Sequence, residues 1–208
     1  MADILQFLSH KVLGVSDERF GLAMVGLQTP VCEFGTLAVD FDLPGVDQRR
    51  WTLGQCAGKR GLLVMFISNH CPYVKAIRAK LVRDVKELQG LGINAVAIMS
   101  NDTMAYPVDS FANMAKISNQ FDFPFPYLLD ASQRVARAYG AVCTPDFFGY
   151  NAALELQYRG RLDAAGARPD DDTQARELVA AMGQIAVTGV GPEDQIPSLG
   201  CSIKWLSN

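Results

Sequence analysis

GLLVMFISNHCPYVKAI, residues 61–77, changes its apolar period half-way along. Gly61 to Ser68 is an almost unbroken apolar run ended by Asn69, which predicts a strand buried on both faces, as in a parallel sheet. From Pro72 onward, Val74, Ile77, Leu81, Val85 and Leu88 recur every three or four positions, while Lys75, Arg78, Arg83, Lys86 and Glu87 take the other faces. That spacing predicts a helix over 72–89 with one buried stripe. Gly90 and Gly92 end it, and INAVAIMS (93–100) reads as a second buried strand. Strand, helix and strand in this order make a right-handed βαβ unit with a parallel pair.

Upstream, FDLPGVDQRRWTL (41–53) carries Pro44-Gly45 between two short extended pieces and predicts a β-hairpin. Further back, Ile4, Leu5, Leu8, Val12 and Leu13 suit a short amphipathic helix. Downstream, a helix follows Pro107 with Phe111, Met114, Ile117 and Phe121 on one side, and Ser132 is placed to cap a shorter one closed by Gly140. Strands at about 145–150 and 154–160, joined through Asn151-Ala152, predict an antiparallel hairpin. Asp170, Asp171 and Asp172 precede a helix over about 173–187, where acids complement the helix dipole. The tail, GPEDQIPSLGCSIKWLSN, reads as an arm wrapping the surface.

At 208 residues the chain favours one enlarged domain. Hydrophobic residues are 49% and charged residues 20%, a globular composition. With 19 Lys+Arg against 22 Asp+Glu, the net charge is −3 and no basic surface invites nucleic acid. No apolar run approaches the ~18 residues of a membrane span. The N-terminal residues lack a basic start, a long apolar core and a cleavage site, so a cytoplasmic location is expected. Five scattered cysteines (Cys32, Cys56, Cys71, Cys143, Cys201) without a CxxC pair fit reduced thiols, with neither metal nor other cofactor expected.

Cys71 falls where the buried strand ends and the long helix begins, with Pro72 in the first turn. A sulfur there faces unpaired backbone N–H groups and the positive end of the helix dipole, which favours thiolate over thiol. Lys75 can add positive charge from one turn on. The bland alternative is an inert cysteine packed at a helix start. His70 is either an acid–base partner of Cys71 or a hydrogen-bonded strand-end histidine. Asn69 and Ser100-Asn101-Asp102 end the two parallel strands on one sheet edge, where they line a pocket or cap and turn the chain. Arg159 and Arg161 read as surface ion-pair residues.

The segment Ser68-Asn69-His70-Cys71-Pro72-Tyr73-Val74, together with Thr144-Pro145 before Asp146-Phe147-Phe148-Gly149-Tyr150, resembles the active site of the thioredoxin-like superfamily. NHCPYVKAI, YGAVCTPDFF, YRGRLD and GCSIKW are similar to recurring segments of its bacterial redoxin (AhpC/TSA) group. The likeness runs from about Gly35 to Trp205, and residues 1–34 resemble no segment of that group. It implies a three-layer α/β fold, a central mixed sheet flanked by helices, with an N-terminal β-hairpin extension and an insertion before the cis-proline strand. It also implies a cis bond at Pro145, packed against Cys71, with the Thr144 backbone available to a substrate chain. The implied organisation is an extension (1–34), a redoxin domain (35–190) and an arm with Cys201 (191–208).

Departures from the group's pattern shape the expected mechanism. Val74 stands where a dithiol thioredoxin has its second cysteine, and Met65 stands where it buries a carboxylate. In the peroxiredoxin signature, Ser68 fits the Thr/Ser place but Val64 replaces the proline, and Thr144-Pro145 occupies the loop expected to supply an arginine. The expectation is a thiol-disulfide oxidoreductase with Cys71 as nucleophile, Thr144, Pro145 and His70 beside it, and Ser68, Asn69, Pro72 and Tyr73 lining the pocket. Cys201 or Cys143 is expected to resolve the intermediate, unless an external thiol does. The alternatives are a hydroperoxide reductase on the same cysteine and a non-catalytic binding module. Expected partners are a protein or small-molecule disulfide, or a hydroperoxide, with a thiol reductant. A homodimer is possible; neither nucleic acid nor membrane is expected.

Overall fold

In a computed structural model, the structure describes residues 13–14, 25–166, 168 and 174–207. The central sheet has five strands in the order β10-β9-β5-β6-β7. Here β5 is Gly61–Phe66, β6 Ile93–Met99, β7 Tyr127–Leu129, β9 Asp146–Asn151 and β10 Leu156–Tyr158. β5, β6 and β7 run parallel, while β9 is antiparallel to β5 and β10 to β9, which makes the sheet mixed. The βαβ unit is closed by α2, Pro72–Gly90.

Every residue of β5 is buried because both faces of the sheet are covered. Leu63 and Met65 face one core with Val74, Ile77, Leu81, Val85 and Leu88 of α2 and with Leu178, Met182 and Ile185 of α5 (Glu177–Thr188). Leu62, Val64 and Phe66 face a second core with Phe41, Leu43, Phe148 and Tyr139. The period of two along the strand thus divides one apolar run between two layers. Each fully buried Leu contributes about 1.5–3 kcal/mol.

Outside the central sheet, β3 (Asp42–Pro44) and β4 (Arg50–Thr52) form the hairpin and lead into α1 (Leu53–Cys56), whose N-cap Thr52 closes a capping box with Gln55. A 3-10 turn at Pro107–Asp109 precedes α3, Phe111–Gln120. A third sheet has the order β1-β2-β11-β8, from Leu13–Gly14, Val25–Gln28, Leu199–Ser202 and Cys143–Thr144.

Four local expectations change. Ser132 is not the cap of α4 (Arg134–Ala138): Gln133 takes that place at φ 60°, and buried Asp130 accepts from the Ala136 amide at 2.9 Å. The last long helix starts at Glu177 rather than near 173, while Asp170, Asp171 and Asp172 lie outside the described residues. So do Ile4, Leu5, Leu8 and Val12, and Leu13 stands in β1 instead of a helix. The tail is not a surface wrap, since β11 is inserted between β2 and β8 through backbone pairing.

Candidate active site

The end of β5 and the start of α2 place Cys71 as the residue before Pro72, facing the turn that follows β8. The Thr144-Pro145 peptide is cis, and the Thr144 carbonyl lies 2.9 Å from the Cys71 sulfur. β11 pairs antiparallel with β8 so that Cys201 stands opposite Thr144. The Cys201 sulfur is thereby brought to 3.0 Å from that of Cys71, although 130 residues separate them. Both thiols are free, with Cys71 0% and Cys201 3% exposed.

A sulfur sealed in hydrocarbon would be inert, but polar groups surround this one. Burial alone pushes the Cys71 thiol up. Hydrogen bonds from the Cys201 thiol, the Thr144 hydroxyl and the Val74 and Cys201 amides outweigh it and lower the thiol to about 6. Ser68 supports this set, its hydroxyl 3.1 Å from that of Thr144. Cys201 moves the other way, raised by its hydrogen bond to Cys71 and by burial, so that the pair holds one proton on Cys201. Lys75 is exposed and is not among the groups that lower Cys71; the backbone amide of Val74 acts instead.

Burial and the nearby Asp146 raise Cys143 well above the ordinary thiol range, and its sulfur touches the Pro145 carbonyl at 3.5 Å. Cys32 and Cys56 are likewise raised by burial, to about 11 and about 12. Tyr73 is half-buried; burial, then the charges of Cys201 and Cys71, raise its phenol. With Pro145, Ile77, Ser198 and Leu199 it lines a cleft of about 350 Å³ beside the thiol pair, whereas Pro72 is exposed.

The turn before Cys71 is fixed by a residue that sequence reasoning missed. Asp109, fully buried, accepts from the Asn69 amide at 2.8 Å and the His70 amide at 3.3 Å, and its second oxygen lies 2.6 Å from His70 Nδ1. Asn101 donates to that second oxygen at 2.8 Å. Asn69 is buried, donating to the Val108 carbonyl and accepting from the Tyr127 hydroxyl, so it shapes the turn. Pro107-Val108-Asp109 offered no spacing that would link it to residue 70, and only the fold brings them together.

Arg159 also departs from expectation. It is buried, donates to Asp146 at 3.0 Å and to the Gly140 carbonyl at 2.7 Å, and stacks over Phe148. An arginine just past an edge strand reads as solvated until the strand order shows the Asp146 carboxylate buried under the same edge. Arg161 does pair near the surface, with Glu177.

The profile of the AhpC/TSA family matches residues 34–165. The chain belongs to the AhpC/TSA family. A structure of an uncharacterized conserved protein from Geobacillus kaustophilus is 39% identical to this AhpC/TSA chain, with a TM-score of 0.83 over 90% of this chain and 100% of the other. The thioredoxin domain of a thiol-disulfide oxidoreductase from Bacteroides vulgatus is 14% identical, with a TM-score of 0.52 over 61% of this chain and 86% of the other. The peroxidoxin BcpB from Mycobacterium tuberculosis is 15% identical, with a TM-score of 0.55 over 77% and 99%. These last two show that the AhpC/TSA chain shares the thioredoxin-like redoxin fold. No curated protein matches it. Among the described residues, no helix is long and apolar enough to cross a membrane.

Proposed function

We propose that this AhpC/TSA protein is a thiol-disulfide oxidoreductase in which Cys71 is the nucleophile and Cys201 the resolving thiol. The observation that carries it is the 3.0 Å sulfur–sulfur separation, with the low thiol and the high thiol on opposite members of the pair. The Cys71 thiolate attacks one sulfur of a disulfide and forms a mixed disulfide, and the other sulfur leaves as a thiolate. Cys201 then gives up its proton as it attacks Cys71, and the second half of the substrate is released. Between them the two halves of the substrate gain two electrons and the one proton of Cys201, and the enzyme ends as a Cys71–Cys201 disulfide that an external dithiol reduces.

Because Cys71 has no exposed surface, β11 must shift for substrate to enter, and β11 is the strand that carries the resolving sulfur. Two arginines near the site are already engaged, Arg78 with the Asn69 carbonyl and Arg159 with Asp146, which favours disulfide over peroxide as the oxidant. The deciding experiment treats reduced protein with one equivalent of a small disulfide and maps peptides without reduction. A single linkage between the Cys71 and Cys201 peptides is expected. A stable mixed disulfide at Cys71, with Cys201 still free, would refute the resolving role.

A further inference from the structure

Nδ1 of His70 is committed to Asp109, and its ring stacks on Tyr106 with centroids 5.5 Å apart and planes inclined by 11°. Among the described residues Nε2 has no hydrogen-bond partner, and the side chain keeps 19% of its surface exposed, one residue from a sulfur that has none. The Asp109 carboxyl is the opposite, wholly buried with all four contacts satisfied. A buried carboxylate on one ring nitrogen fixes the tautomer and leaves the other nitrogen to exchange protons.

We propose that Asp109 is a positioning residue that acts through His70. It holds the ring as an imidazolium, Nδ1–H on Asp109, so that Nε2–H protonates the sulfur leaving the substrate when Cys71 attacks. This rests on the assignment of Cys71 as nucleophile. The balance closes within the site. Cys71 S⁻ forms a bond to one substrate sulfur, the substrate S–S bond breaks, and its electron pair goes to the departing sulfur. That sulfur takes the proton from Nε2. The neutral imidazole, still donating through Nδ1 to Asp109, then takes the proton that Cys201 sheds as it displaces the second thiolate.

The charged and titratable neighbours fit this use. Burial pushes the Asp109 carboxyl up, but hydrogen bonds from His70 and Asn101, the His70 charge and the Asn69 amide outweigh it and hold it below the ordinary carboxylate range. At the opening of α2 the nearby groups are Cys71, just before the helix, and Arg78 within it, the latter donating to the Asn69 carbonyl. From the loop after β6 comes Tyr106, and from the C-terminal segment comes Lys204, whose Nζ is 5.9 Å from the Tyr106 ring centre. The Lys204 backbone donates to Asn101 at 2.9 Å, and Asn101 donates to Asp109, so one hydrogen-bonded chain joins the His70 turn to the segment bearing Cys201.

The test is a leaving-group comparison in single turnover. Reduced enzyme reacts with an aromatic disulfide, whose departing thiolate is a weak base and needs no proton, and with dithiodiethanol, whose departing thiolate does. Asp109→Asn and His70→Gln are each expected to slow the dithiodiethanol reaction at least about tenfold and the aromatic one by less than about threefold, while the double variant is no slower than His70→Gln alone. Equal slowing on both disulfides, or none, overturns the proposal and leaves Asp109 as a structural tie. Should Asp109→Asn fail to fold, the partly exposed His70→Gln carries the same comparison. Iodoacetamide labelling of the unmutated protein is read alongside. Loss of selective labelling at Cys71 would instead reject the nucleophile assignment.

Discussion

Cys201 stands directly across from Thr144 in the pairing of β11 with β8, and that register sets its sulfur beside Cys71. The C-terminal segment therefore tunes the Cys71 thiol, since the Cys201 thiol is the first of the groups that pull Cys71 down. Replacing Cys201 with Ala removes that donor. The midpoint of iodoacetamide labelling of Cys71 is expected to rise from about 6 toward the ordinary thiol range. Reactivity then falls at neutral pH and recovers under alkaline conditions, read by peptide mass across a pH series. An unchanged midpoint would assign the lowering to the helix-opening amide and Thr144 alone.

Gly200 permits the close pairing of the two strands. A Cβ on it would stand 3.0 Å from the Pro145 nitrogen and closer still to the Thr144 carbonyl. Gly200→Ala is therefore expected to push β11 off β8, at a cost of about 1–3 kcal/mol. With the cover loosened, labelling of Cys71 by a bulky maleimide, each rate divided by the thiolate fraction read from a pH series, should accelerate. Denaturant melts and labelling rates measured together separate this opening from global unfolding.

Asp146 and Arg159 lie together under the cis-proline strand. Burial raises the Asp146 carboxyl to about 6, against the charge and hydrogen bond of Arg159 and the Val142 amide, which lower it. Arg159→Met leaves a buried carboxylate unpaired and is expected to destabilise the fold by about 3–5 kcal/mol at neutral pH. The sign with pH follows from the raised value. An acid that is harder to ionise folded than unfolded penalises the native state as pH rises, so the deficit of the variant should shrink as the solution is acidified below about 6. Urea melts at several pH values check it. A deficit that grows on acidification would contradict a buried, ionised partner.

Much of this was legible in residues 61–99, because burial on both faces of a parallel strand leaves an unbroken apolar run and an amphipathic helix leaves a period of three to four. Cys71 was legible for the same reason, as the junction of the two periods. Asp109 was not, since it meets His70 only through the loop after β6, 39 residues away, and no local pattern records that approach. The pairing of β11 was hidden for a different reason. Gly200 and Ser202 have low strand propensity, and backbone hydrogen bonds to β2 and β8 override it. Arg159 shows the remaining kind of failure, in which a charge that looks solvated is buried with a partner 13 residues earlier.

The strand geometry also separates the two cysteines that sequence left open as resolving thiols. Cys143 and Thr144 are consecutive in β8, so alternation sends their side chains to opposite faces, and Cys201 shares the face of Thr144. The Cys143 sulfur moreover contacts the Pro145 carbonyl at 3.5 Å, whereas that of Cys201 lies 3.0 Å from Cys71. Cys143→Ala is expected to form the Cys71–Cys201 disulfide as fast as the unmutated protein within about twofold, at a stability cost near 1 kcal/mol. Cys201→Ala should instead accumulate the mixed disulfide on Cys71, with a mass increase equal to the added thiol. Intact-mass kinetics after mixing with a small disulfide distinguish them, and a Cys71–Cys143 linkage in unmutated protein would reverse the assignment.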